Sequence, residues 1–151
     1  MNGAYKMSKI LVYYYTQSGN TEKMAKAVTE GIKSVDGTEV ELKYYATPNE
    51  LTSFDGIVIG VPTYNHKMSS DVRNLFEKAA KDSIDLKDKL GAAFGSFGWS
   101  GEAPGMVIEI MKNSFSMDVI EPPLRVKGSP NQDALEECRK LGKIIGEKCR
   151  S

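Results

Sequence analysis

Neither sign of charge is in surplus in this chain. Its 151 residues hold 20 lysines and arginines against 20 aspartates and glutamates, and the balance persists within each half. No basic field is available for nucleic acid, and no basic amphipathic stretch for anionic lipid. No apolar run approaches the ~20 residues that span a bilayer. The run Ile10 to Tyr15 is short and ends in a polar turn, so it does not read as a secretory leader. The expected location is therefore cytoplasmic, without nucleic acid or membrane as partner. Cysteine is also scarce: Cys138 and Cys149 are the two, both late. On one helix they stand about three turns, roughly 16 Å, apart, beyond the ~7 Å between Cα atoms that a disulfide tolerates. Their spacing puts both on the apolar side with Leu135, Leu141 and Ile145. Buried free thiols are expected, rather than a redox pair or metal ligands. A Gly-x-Gly-x-x-Gly loop after the first strand is missing, and so is a Gly-Lys-Ser/Thr nucleotide loop. There is no internal repeat, linker or low-complexity tract. Residues 1–7 read as a flexible N-terminal tail, with Met7 as an alternative start. Residues 8–151 read as one domain, long enough for a proper core.

What the chain does have is a run of hydroxyls and amides, Thr16-Gln17-Ser18-Gly19-Asn20-Thr21, between an apolar strand and a helix. Lys9 to Tyr15 is β-branched, aliphatic and aromatic, as a buried strand should be. Met24, Ala27, Val28, Gly31 and Ile32 then recur at helical spacing. Such a turn offers free backbone N–H groups, O–H donors and the positive end of a helix dipole. Those are the parts of a phosphate cradle. The loop has no lysine or arginine, and neutral donors suit a phosphate that is held rather than transferred. The alternative is a turn that merely caps its helix.

The remaining sequence alternates strand and helix. Thr38 to Tyr44 alternates in polarity like an edge strand. Asp55 to Val61 and Lys89 to Gly95 are short apolar runs, hence central strands. Val72, Leu75, Phe76 and Ala79 mark a helix over Ser69 to Ala80. Met106, Ile110 and Met111 mark another, with Pro104 near its start. Asp118 to Val126 is a last strand broken by Pro122-Pro123, which suits an edge or bulge. Asn131 to Arg150 closes the chain as a helix. The expected architecture is α/β: a doubly wound, five-stranded parallel sheet, order 2-1-3-4-5, with helices on both faces. Ligands of such sheets gather beyond the carboxyl ends of the strands, where strand order reverses.

Three loops emerge there: Thr16 to Thr21, Pro62 to Met68, and Ser96 to Glu102. Tyr64 and Trp99 are unusual at loop tips, since large aromatics favour burial. Two aromatics beside a phosphate cradle suggest a flat ring system carrying a phosphate. The alternative is ordinary packing. His66, the single histidine, reads as a solvent-facing loop residue; near a ring its proton would tune a potential around neutral pH. Glu102 reads as a solvated carboxylate at a helix start. Tyr13, Tyr14 and Tyr15 read as sheet packing.

From Ser8 to Arg150 the chain resembles the flavodoxin family. The first loop matches the flavodoxin phosphate loop, Thr/Ser-x-Thr/Ser-Gly-x-Thr, at every constrained position. Pro62-Thr63-Tyr64-Asn65 and Phe97-Gly98-Trp99-Ser100-Gly101 resemble most the flavodoxin domain of flavodiiron proteins. There Pro-Thr-x-Asn follows the third strand and Tyr/Phe-Gly-Trp-x-Gly the fourth. The resemblance implies non-covalent FMN. Thr16, Ser18, Asn20 and Thr21 would hold its phosphate together with loop amides. Gly19 would allow close approach, and Gln17 would contribute mainly its main chain. Pro62, Thr63, Tyr64 and Asn65, with Ser96, Phe97, Gly98, Trp99 and Gly101, would flank the ring. Trp99 is the first choice for stacking and Tyr64 the second.

The implied function is electron transfer between redox proteins: a reductase, an iron–sulfur protein, or a terminal oxidoreductase such as a separate diiron protein. No catalytic residue or metal ligand is assigned. One histidine is too few for a diiron ligand set, so these residues do not encode that domain. The alternative is an FMN-dependent NAD(P)H or quinone oxidoreductase, although no long insertion is present to build its pocket. A flavin-free receiver module fits poorly: Thr16-Gln17 and Pro62-Thr63 stand where its aspartates belong. The second loop lacks the glycine that many flavodoxins place beside the ring, which implies a less stable one-electron-reduced flavin. The neutral overall charge implies weaker repulsion of a reduced, anionic flavin than in very acidic relatives.

Overall fold

The computed structural model describes residues 7–150; apart from Met7, the expected N-terminal tail lies outside them. In chain order the elements are β1 (Ser8–Tyr14), α1 (Asn20–Lys33), β2 (Thr38–Lys43), β3 (Gly56–Gly60), α2 (Ser70–Lys81), β4 (Leu90–Phe97), α3 (Glu102–Glu109), β5 (Asp118–Val119), β6 (Leu124–Lys127) and α4 (Gln132–Arg150). Every strand pair is parallel. The sheet runs β2-β1-β3-β4-β5, and β6 also pairs with β4. β5 and β6 are two pieces of the expected fifth strand, separated at Pro122-Pro123 with a cis Glu121–Pro122 bond. Proline has no N–H to give to the ladder, so the break falls at the sheet's edge. The order 2-1-3-4-5 and its two helical layers are as the alternation implies.

Strand alternation divides the core into two layers. On one side Leu11, Tyr13, Ile57 and Ile59 pack against Val72, Leu75 and Phe76 of α2 and Val107 of α3. On the other, Ile10, Val12, Val58 and Phe94 pack against Met24 and Val28 of α1 and Ile145 of α4. The α1–α4 seam is unusually close. A Cβ on Gly142 would lie 2.0 Å from the Val28 carbonyl oxygen, so only glycine lets these two backbones meet. Cys138 is buried in this second layer and Cys149 is half-buried beside it, both as free thiols. Burial pushes the Cys138 thiol up to about 12 and the Cys149 thiol up to about 11.

Local rules fix the ends of the elements. The side chain of Ser69 accepts from the Val72 N–H and starts α2. The connection from β2 to β3 contains a 3-10 turn, Pro48–Ser53, started by a Thr47–Glu50 capping box. Lys43, at the end of β2, bonds the same Glu50 carboxylate. Beyond α3 the chain continues through a π-type turn, Ile110–Ser114.

Candidate functional site

β1 passes to α1 on one face of the sheet, whereas β3 passes to α2 on the other. The loops that leave these neighbouring strands therefore diverge, and a crevice opens between them. The loop after β4 joins at the same rim.

The first loop ends at Gly19, the residue before α1. Gly19 is left-handed, with φ +90, and makes no side-chain capping bond to the helix. Nothing lies within 4 Å of the place a Cβ would occupy. The start of α1 thus carries no side-chain cap from the residue before it, at the end of a helix where the dipole favours an anion. The Gly19 N–H donates to Thr16 Oγ1 at 3.0 Å, and the Asn20 N–H reaches Ser18 Oγ at 3.4 Å. No carboxylate interrupts Thr16 to Thr21. The nearest in sequence, Glu22, instead accepts from the Tyr14 hydroxyl at 3.1 Å. That bond and burial together raise the Tyr14 phenol above its ordinary range, burial first. The donor set, the uncapped helix and the space above Gly19 fit a phosphate.

Thr21 and Gln17 do more than their motif positions suggest. Thr21 is 1% exposed, and its hydroxyl lies 3.0 Å from Ser96 Oγ. This contact joins the first loop to the end of β4. Gln17 Nε2 donates to the Tyr15 hydroxyl at 3.1 Å, so the side chain is engaged as well as the main chain.

The second and third loops are also bonded to each other. The Thr63 N–H donates to the Ser96 carbonyl at 3.2 Å. Thr63 Oγ1 accepts from the Ala103 N–H at 2.8 Å and so caps α3 from another loop. Beyond Thr63 the chain forms a two-residue hairpin, Tyr64 and Lys67 exchanging backbone bonds at 3.1 and 3.0 Å. Asn65 and His66 occupy its tip at φ +51 and +63, the pattern of a type I′ turn. Tyr64 is 41% exposed, and Trp99 is 89% exposed. Trp99, Asn65, His66, Thr63 and Ser100 line a cleft of about 120 Å³. Trp99 is therefore not a packing residue; its exposed side chain borders a small cleft. Pro62 is buried at the base of the second loop, and Gly98 and Gly101 flank the tryptophan.

Glu102 is exposed in the first turn of α3, and its Oε2 lies 2.6 Å from His66 Nδ1. Bonds from the Ser100 hydroxyl and then His66 hold the carboxyl down at about 2. His66 is exposed as well, and engaged through that contact. Sequence reasoning also passed over Tyr44 and Tyr45, which are 78% and 68% exposed just past β2. Tyr44 shares a hollow of about 380 Å³ with Tyr15, Thr16 and Asp71. Consecutive aromatics following a strand at the ligand rim were the available signal.

A family model described as Flavodoxin matches residues 12–142. The type A flavoprotein fprA of Rhodobacter capsulatus is 37% identical over 146 residues, covering 91% of this chain and 32% of that protein. The chain thus spans about a third of that relative's length. A flavodoxin of Aquifex aeolicus is 34% identical over 160 residues, covering 93% of this chain and 86% of that one. Among solved structures, an archaeal flavodoxin superposes with a TM-score of 0.87 at 36% identity, covering 95% of this chain and 99% of its own.

Proposed function

This chain belongs to the flavodoxin family, and from that premise we propose that it carries electrons between redox proteins through FMN gripped by its three rim loops. FMN is the family's cofactor, held without a covalent bond. When bound it supplies the redox chemistry; the protein supplies grip, orientation and exclusion of water. In this reading the first loop holds the phosphate through the hydroxyls of Thr16 and Ser18 and the side-chain amide of Asn20, with N–H groups at the start of α1. Thr21 contributes by fixing that loop to Ser96. Pro62 to Asn65 and Phe97 to Gly101 flank the ring, and Trp99 stacks on it.

The observation that carries the proposal is the bonding among the loops. Thr21 to Ser96, and Thr63 to both Ser96 and Ala103, tie three separate connections into one rim. A tryptophan left in solvent at that rim is explained by a ring that covers it. The expected partners are a reductase, an iron–sulfur protein, or a terminal oxidoreductase such as a diiron protein. Among the described residues, no helix is long and apolar enough to cross a membrane.

An anaerobic spectral titration with FMN, followed by stepwise reduction, tests this. The FMN-loaded chain should take up electrons from a reductase and pass them to a protein acceptor. Steady turnover of NAD(P)H with quinone, at a rate that saturates with quinone, would favour the oxidoreductase alternative instead.

A further inference from the structure

The chain is neutral overall, yet its charges are unevenly spread around the rim. Lys67 of the second loop and Arg125 and Lys127 of β6 are exposed, and their side chains make no hydrogen bond or ion pair among the described residues. β6 lies along the edge of β4, with Arg125 opposite Gly95 and Lys127 opposite Phe97. Leu124 and Val126 pack inward, so strand alternation turns Arg125 and Lys127 outward. Arg125 Cδ lies 3.2 Å from the place a Gly101 Cβ would take. Its side chain thus runs to the foot of the third loop, which carries Trp99, 89% exposed. Over Pro62 to Met68, Ser96 to Glu102 and β6, Glu102 is the one carboxylate, and it lies 2.6 Å from His66 Nδ1.

Acidic groups of the same edge lie elsewhere. Asp118 stands opposite Leu90 at the start of β4, ~23 Å down the strand from Phe97. That is well beyond a Debye length of about 8 Å. Glu121 is bonded to Lys112 at 3.2 Å. Charged edge strands also discourage edge-to-edge pairing. β2, at the other edge, does so with both signs, Glu39, Glu41 and Lys43, whereas β6 presents cations alone. The first-loop side of the rim has the opposite character. Its hollow beside Tyr44 is lined by Glu22 and Asp71 and by no lysine or arginine.

We propose that Lys67, Arg125 and Lys127, set around the exposed Trp99, form the docking face for an electron-transfer partner whose own face is acidic. The purpose of the face rests on the FMN reading above, in which the loops beside the ring are where electrons leave. Cations here steer an acidic surface and speed its association. Tryptophan and arginine are the side chains that most often anchor an interface. Glu22 and Asp71 repel the same surface from the other side, so the partner is oriented as well as attracted.

The test has a part that needs no flavin. Trp99 is the single tryptophan, so its quenching by ions reports the local potential. Iodide and acrylamide quenching are compared in the FMN-free protein at a constant ionic strength of about 0.1 M. The iodide-to-acrylamide ratio should fall roughly one-and-a-half- to twofold in Arg125→Gln/Lys127→Gln. It should stay unchanged in Lys33→Gln/Lys87→Gln, which removes the same charge from exposed positions at the opposite end of the sheet. The FMN-loaded protein, reduced anaerobically, is then mixed with cytochrome c or with its succinylated form, whose lysines have become carboxylates. Each haem takes one electron. At low salt Arg125→Gln/Lys127→Gln should reduce the succinylated form roughly three- to tenfold more slowly than the wild type. The difference should vanish by about 0.5 M salt, and native cytochrome c should show no such slowing. Equal iodide ratios in the two double variants, equal rates with the succinylated form, or equal slowing with both forms overturns the docking face. The expected quenching difference in a chain that takes up no FMN supports the basic face and overturns the flavin reading.

Discussion

The α1–α4 seam and the loop rim both depend on glycine, to opposite ends. At the seam, Gly142 meets the Val28 carbonyl so closely that a Cβ would stand 2.0 Å from it. At the rim, Gly19 serves through its left-handed backbone, φ +90, and a Cβ there would meet none of the surrounding loops within 4 Å. The absent side chain lets backbone meet backbone in one region and lets it turn left-handed in the other. The seam closes the core, whereas the rim keeps Ser18 and Trp99 unburied. A protein that must hold a ligand needs both, because an open rim keeps its shape only on a closed scaffold.

The comparison breaks most visibly at the seam. Gly142→Ala should cost about 2–4 kcal/mol, because the colliding atom is backbone and cannot swing aside. Urea unfolding followed by circular dichroism measures it. FMN affinity should change little in whatever fraction remains folded. The rim should behave in reverse. Trp99→Ala removes an exposed ring, so stability should hold within about 0.5 kcal/mol. FMN affinity should fall by about 1–3 kcal/mol, roughly fivefold to 150-fold. An unfolding curve and an FMN titration on the same preparation separate the two effects. A smaller effect is expected at the hairpin tip. His66→Gly relieves the positive φ and should raise stability by about 0.5–1 kcal/mol. A destabilised His66→Gly protein would mean that the imidazole contributes more to folding than its backbone position costs.

The fold was legible because its signals are local and repeated. β1 reads as a strand from the run Lys9 to Tyr15, and α1 as a helix from the spacing of Met24, Val28 and Ile32, without knowledge of any partner. Even the divided fifth strand was marked by Pro122-Pro123. The rim was legible in outline, since its three loops follow three strands whose order the alternation implies. What could not be read was pairing across the sequence. Nothing in the chain says that Thr21 meets Ser96, that Thr63 caps α3, or that His66 meets Glu102. Each contact depends on how far the sheet twists before its loops turn back. Tyr44 and Tyr45 were missed for another reason: they follow an alternating edge strand and look like its continuation. The strand stops at Lys43, which bonds Glu50 of the following turn, and the tyrosines are released to the rim.

The most direct measurement is a fluorescence titration of the purified protein with FMN, using Trp99 as the reporter. The account predicts saturable binding of one FMN per chain, with the tryptophan emission quenched in step with occupancy, and the same titration with riboflavin much weaker. Saturating FMN that leaves Trp99 emission unchanged, or riboflavin that binds as tightly as FMN, would contradict it.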